Sequence, residues 1–190
     1  MSETTRMDPT PRYTWTYDEY ARLPDDGNRY EVIDGEVLVT PSPSPTHQHI
    51  LTNLLIALRI YVEREELGVV LPDVDLLFQE GHFLRPDLLF VPDAGRGGIT
   101  SRGVETTPGL VVEILSPSSG SIDRVKKPRR YRDFGVPEYW VLDPEERAAW
   151  VWRFAEGRTE AERVEERVVW RPEGASDTLE LSIEELFRPM

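Results

Sequence analysis

Two short apolar runs each carry a single carboxylate: Arg85-Pro86-Asp87-Leu88-Leu89-Phe90 and Gly109-Leu110-Val111-Val112-Glu113-Ile114-Leu115. Alternate residues of a strand share a face, so Asp87 lies with Leu89 and Val91, and Glu113 with Val111 and Leu115. An ionised carboxylate among hydrophobic side chains is costly unless it is paired or coordinated. A divalent cation is one such partner, because two converging carboxylates with water and a substrate phosphate make a hard, oxygen-rich Mg²⁺ site. A solvated strand end or an arginine is the other, and Arg85 stands closest to Asp87 in the chain. Other chemistry is poorly supplied. There is no cysteine, which excludes disulfides, a thiol nucleophile and cysteine zinc sites. His47 and His49, two apart on a helix, point in different directions and make a poor metal pair. Ser116, Ser118 and Ser119 have no histidine base beside them, so their segment reads as turn and helix-cap chemistry.

The elements that must position these acids follow from periodicity and punctuation. Tyr13–Leu23 suggests a short helix. Tyr30–Thr40 reads as an N-terminal β-hairpin, with Asp34-Gly35 supplying a type I′ turn. Thr46 is a candidate N-cap for a helix to about Glu66, whose Leu51, Leu54, Leu55, Leu58 and Val62 repeat at helical spacing and would cover a sheet. Strand-like runs follow at Val69–Phe78, Pro86–Val91, Leu110–Leu115, Glu138–Leu142, Ala149–Phe154 and Glu165–Trp170. A second helix fits between Asp123 and Phe134, and Ile183–Phe187 a terminal helical turn. Tyr139 and Trp140 read as packing residues. The expected architecture is α/β or α+β, a mixed β-sheet flanked by helices, in a single domain over residues 13–190 after a disordered stretch of 1–12.

A chain of 190 residues with 39% hydrophobic and 30% charged residues has the composition of a folded, water-soluble protein. No apolar run approaches the roughly 20 residues of a membrane helix, and the N-terminus lacks a signal-peptide pattern, so a cytoplasmic location is expected. The formal net charge of −13 argues against a broad electrostatic footprint for nucleic acid. Any such contact must be local or mediated by a metal.

The segments YEVIDGEV, PSPSPTHQ, RPDLLFV, VVEILSPSS and DRVKKPRRYRDFGVPEYWVLDP, in this order and spacing, resemble the Uma-two family of proposed restriction endonucleases, part of the PD-(D/E)XK nuclease superfamily. The likeness covers roughly residues 15–150. It implies a restriction-endonuclease-like fold and a metal-dependent endonuclease that hydrolyses DNA phosphodiester bonds, acting as a homodimer. Carried over by position, Asp87 and Glu113 match the motif's two acids and would bind Mg²⁺ or Mn²⁺, with Glu31 completing the shell. The motif's lysine departs from the usual spacing, since Leu115 stands two residues after Glu113. In this family the lysine resembles one carried by the following helix, in a pattern matched by Asp123, Arg124, Lys127 and Tyr131. Lys127 is therefore the third candidate catalytic residue, with Lys126 its rival because Pro128 must start or kink that helix. Arg124, Lys127 and Tyr131 would share a face of a continuous helix. Arg124, Lys126 and Arg130, with Arg129, are candidates for gripping the nucleic-acid backbone. His47 also matches a family position. Two other classes compete: an idle binding or scaffolding protein that keeps the fold, and a hydrolase of small phosphorylated molecules. A basic groove at the acid pair would favour the nuclease, and an arginine blocking the pair would favour the scaffold.

Overall fold

The computed structural model describes residues 14–116, 120 and 122–190. The expectation for residues 1–12 lies outside them. Helix α1 (Tyr17–Tyr20) opens with a capping box between Thr16 and Glu19. Strands β1 (Arg29–Ile33) and β2 (Glu36–Thr40) form the expected hairpin, with Asp34 and Gly35 both at positive φ, 56° and 76°, as a type I′ turn requires. Helix α2 runs from Pro45 to Arg64. Its N-cap is Ser44 rather than Thr46, because Pro45 is at home in a first turn, where no N–H is needed.

The run 69–78 is two strands and not one. Pro72 cannot donate to a ladder and Asp73 adopts φ 50°, so the chain turns between β3 (Gly68–Pro72) and β4 (Leu76–Gln79). A Glu80-Gly81 turn then leads into β5 (His82–Leu84), a strand too short to stand out in the sequence. Strands β6 (Leu88–Pro92) and β7 (Leu110–Ile114) carry the two acidic segments. A single π turn (Ile122–Lys126) and helix α3 (Lys127–Asp133) follow, with Pro128 in the first turn of α3. Of the two options raised by Pro128, the start is the one realised: the α-helix begins at Lys127 beside it, after the π turn.

Strands β8 (Glu138–Asp143) and β9 (Ala148–Arg153) come next. The expected strand at 165–170 is β11 (Arg167–Trp170), preceded by a further strand β10 (Glu162–Val164); β11 pairs with β12 (Leu179–Ser182) before helix α4 (Ile183–Leu186). The main sheet has the order β10-β9-β8-β7-β6-β3, with β7 and β8 parallel and the other pairs antiparallel. It is the expected mixed sheet flanked by helices. The hairpin belongs to a second sheet, β2-β1-β5-β4.

Each face of the main sheet has its own core. Leu88, Phe90, Leu110, Val112 and Trp140 pack against Ile50, Leu54, Leu58 and Tyr61 of α2. On the other face, Leu89, Val91, Val111, Tyr139 and Val141 meet Ile33 of the hairpin and Tyr131 of α3. Gly68 shows how tightly β3 and β6 join: a Cβ there would stand 2.1 Å from the Val91 carbonyl oxygen. The acids share the parity of the second face, so they lie between the main sheet, the hairpin and α3.

Candidate active site

Asp87 sits just before β6, where the ladder with β7 ends at the Leu88–Val112 pair. Its side chain takes over from the ladder there: Oδ2 accepts the Ile114 backbone N–H at 2.7 Å. The same oxygen lies 3.1 Å from His47 Nε2, brought in by the first turn of α2. Oδ1 accepts from Arg29 at 2.7 Å. Burial pulls the Asp87 carboxyl upward, but the His47 contact, the Arg29 charge and the Ile114 amide outweigh it and hold the group down at about 2. Arg85 is not its partner. That side chain turns outward to Asp73, while its backbone N–H donates to Glu31 Oε1 at 2.9 Å.

Glu113 stands in mid-strand and is 3% exposed. Its Oε1 accepts from Lys127 Nζ at 2.8 Å and from the Tyr131 hydroxyl at 3.2 Å. The Lys127 ammonium also touches Glu31 Oε2 at 3.0 Å and Asp123 Oδ1 at 3.1 Å. Lys127 is thus the lysine that reaches the acids, buried to the same degree as they are. Lys126, its rival, points outward and pairs with Glu36 at 2.9 Å. The π turn explains the arrangement: it sets Asp123 under Lys127 and breaks the 3.6-residue register on which the shared face of Arg124, Lys127 and Tyr131 depended. Lys127 and Tyr131 meet at Glu113, whereas Arg124 turns away. It pairs with Asp143 and stacks over Trp150, 5.0 Å from the ring centre.

The electrostatics are lopsided. Glu31, Asp87, Glu113 and Asp123 are all buried, and the permanent cations among them are Arg29 and Lys127. With every carboxyl ionised the cluster carries two surplus negative charges. Burial, together with the charges of Asp123, Asp87 and Glu31, therefore raises the Glu113 carboxyl well above the usual range despite Lys127. The lysine shifts the same way: burial opposes its charge, but three carboxylates hold the proton on it. Tyr131 and Tyr139 are also pushed up by burial and by Glu113.

Surplus charge and hard oxygen donors suit a divalent cation, and Asp87, Glu113 and Glu31 are the residues that would hold one. As they stand, no three acid or histidine side chains among the described residues are set around a vacant ion position. The Lys127 ammonium and the Arg29 guanidinium take the inner places. These residues line one cavity of about 880 Å³ with Leu38–Ser44 on one side and Asp143–Glu146 on another.

The expected backbone-gripping residues are engaged: Arg124, which lines the cavity, with Asp143, Lys126 with Glu36, and Arg130 with Asp34. Arg129 is exposed. His47 reaches the site, while His49 contacts the Arg188 carbonyl at 3.0 Å. Ser116 lines the cavity; Ser118 and Ser119 lie outside the described residues. Tyr139 and Trp140 are packing residues, the Tyr139 hydroxyl donating to the Asp123 carbonyl at 2.9 Å. Arg29 is the member of the site that sequence reasoning misses, although strand parity with Glu31, two residues on, could have placed it on the same face.

Comparison with known proteins agrees with this architecture. A solved structure described as a "putative nuclease belonging to DUF820", from Anabaena variabilis, superposes with a TM-score of 0.75 at 24% identity, over 90% of this chain and 97% of that one. It establishes the fold. An "Uncharacterized protein sll1609" of a Synechocystis species is 25% identical over 115 residues, 60% of this chain and 65% of that relative's length. The family model described as "Putative restriction endonuclease" matches residues 17–184, and with nearly the whole chain inside that match, the protein belongs to the Uma2 family.

Proposed function

We propose that this chain is a metal-dependent endonuclease that hydrolyses phosphodiester bonds, with DNA as its substrate. The observation that carries the reading is the convergence of Asp87, Glu113 and Lys127 on the floor of one cavity, the lysine arriving from a helix 2.8 Å from Glu113 Oε1. In this proposal Asp87 and Glu113, supported by Glu31, hold Mg²⁺ or Mn²⁺, and a bound cation supplies an activated water and charge stabilisation at the scissile phosphate. The chain's own residues do the rest. Lys127 lends a positive charge to the reacting phosphate or water, Tyr131 fixes Glu113, and Arg130, Lys126 and Arg124 grip the backbone after releasing their present acid partners. A homodimer would offer two cavities to the two strands of a duplex.

The family description and the fold of a nuclease neighbour support the general class. One observation favours the second reading, an idle scaffold: Arg29 caps Asp87 at 2.7 Å. Calorimetric titration of Mg²⁺ and Mn²⁺, run beside cleavage of plasmid DNA, single-stranded DNA and RNA, separates the two. The nuclease reading expects cleavage that requires the cation and is lost in Glu113→Gln. A folded wild type that binds neither cation, with or without DNA, and cuts nothing would overturn it in favour of the scaffold.

A further inference from the structure

Arg29 lies where neither the sequence pattern nor the proposed reaction gives it a role, and its geometry points to one. The side chain is forked between two depths. One prong, NH1, holds the buried Asp87 at 2.7 Å, and the other, NH2, holds Asp73 at 3.2 Å, a carboxylate half exposed at the surface. Arg29 itself lines the cavity. A carboxylate offers about four lone-pair positions. Three on Asp87 are taken, by Ile114, His47 and Arg29. The Ile114 amide is fixed in β7 and His47 is locked in the first turn of α2. All three partners border the cavity, but of them the guanidinium has a second anchor, Asp73, to stay on if its inner prong lets go.

We propose that Arg29 is a phosphate-responsive gate over Asp87: a phosphodiester entering the cavity draws the guanidinium off Oδ1 and so opens that oxygen to a divalent cation. The inference rests on the metal-site reading above. The physical basis is that a planar guanidinium binds phosphate through two parallel hydrogen bonds, a better match than the single contact Arg29 makes with each present partner. While Arg29 caps Asp87, a permanent positive charge competes with the cation for the same oxygen. Once it moves to phosphate, it adds a favourable contact to the substrate and removes the competitor. Cation and phosphate then bind with positive cooperativity, and the reciprocity of linkage makes the effect measurable from either side. Arg29 is on this account a positioning residue, acting on the cation through Asp87.

The test is calorimetric titration of Mn²⁺ alone into wild type, Arg29→Gln and Arg29→Lys, repeated with the dinucleotide thymidylyl-thymidine present. Removing the competing charge should tighten Mn²⁺ binding by about tenfold or more, within the usual range of site-to-site coupling. A merely structural Arg29 predicts the reverse, because a slackened Asp87 binds less well. Arg29→Lys keeps the charge and should stay near wild type. The dinucleotide should tighten Mn²⁺ binding to wild type and leave Arg29→Gln unmoved. Mn²⁺ binding that is no tighter in Arg29→Gln than in wild type overturns the gate. If Arg29→Gln fails to fold, the wild-type titrations decide alone, and an affinity that ignores the dinucleotide overturns it. Absence of Mn²⁺ binding in every chain, dinucleotide or not, overturns the metal-site reading itself, which keeps the two failures distinct.

Discussion

Replacing Lys127 by methionine removes a charge and little volume. The ammonium is 3% exposed and lies within 3.1 Å of three carboxylates, Glu31, Glu113 and Asp123. Breaking a buried pair by deleting one partner costs about 3–5 kcal/mol, since the remaining charge is left uncompensated. At about 2–4 °C per kcal/mol for a chain of this size, the melting temperature at pH 8 should fall by about 6–20 °C. The sign of the pH dependence follows from the proton count. Without the lysine, Glu113, whose carboxyl burial and its acidic neighbours already raise, loses the charge that opposes them and takes up its proton at higher pH in the folded chain than in the unfolded one. Stability is then lost as pH rises above the ordinary carboxylate range and recovered as pH falls back through it. The drop should therefore shrink at pH 5, and Mn²⁺ should restore part of it at pH 8 by replacing the missing charge. Scanning calorimetry at both pH values, with and without Mn²⁺, reads all of this. Lys126→Met is the control, because that side chain is half exposed and pairs with an exposed Glu36. Its cost should stay within about 1 kcal/mol. A Lys127→Met loss no larger than the control's, or identical at pH 5 and pH 8, would refute the account of the cluster.

Burial pushes the Glu138 carboxyl up to about 7, against the Trp140 N–H and Arg153, so the folded chain loses stability as pH rises from 4.5 to 7. Glu138→Gln keeps the acceptor and should raise stability at pH 8 by up to about 3 kcal/mol, the gain fading below pH 7, as urea melts across that range would show. Tyr131→Phe deletes the hydroxyl on Glu113 and should lower stability by about 0.5–1.5 kcal/mol in the same melts, while leaving the near-ultraviolet signature of the core intact. Gly68→Ala drives a Cβ into the Val91 carbonyl at a φ of 153° and should leave little folded protein, as circular dichroism would report. If Arg130 and Lys126 grip the backbone, each alanine variant should reduce the salt slope of DNA binding by about one.

What was legible in the sequence was whatever one short window determines. Strand parity grouped Asp87 with Leu89 and Val91 and Glu113 with Val111 and Leu115, Asp34-Gly35 announced its hairpin, and the leucines of α2 declared the face that covers the sheet; that the two strands are neighbours with both acids on one face came from the fold. Pro128 correctly marked the start of the α-helix beside Lys127. The resemblance to a family, and not any periodicity, supplied Lys127 in place of the missing lysine at 115. The rest was hidden because it depends on contacts far apart in the chain. Arg29 reaches Asp87 across 58 residues. Lys126 and Arg130 look like free cations until Glu36 and Asp34 of the hairpin fold over them. The run 69–78 looked like one strand because its apolar pattern continues through Pro72 and Asp73. The two halves in fact diverge into different sheets, β3 beside β6 and β4 beside β5.

The position of the lysine also says what this site depends on. Leu115, two residues past Glu113, is half-buried and cannot supply a charge. The ammonium that meets Glu113 comes instead from a helix whose first turn is set by a π turn, with Asp123 holding Lys127 from one side and Glu31 of the hairpin from the other. A strand-borne lysine would be aligned by the ladder hydrogen bonds of β7 itself. A helix-borne one is aligned only while three separate elements keep their places. The two buried acids that do not belong to the central pair, Glu31 and Asp123, accordingly act alike, since each holds the charge over Glu113. Their negative charge is also what leaves the cluster short of cations. The same residues that position Lys127 thus create the surplus that a divalent ion would satisfy, and removing either should loosen the lysine and weaken cation binding together.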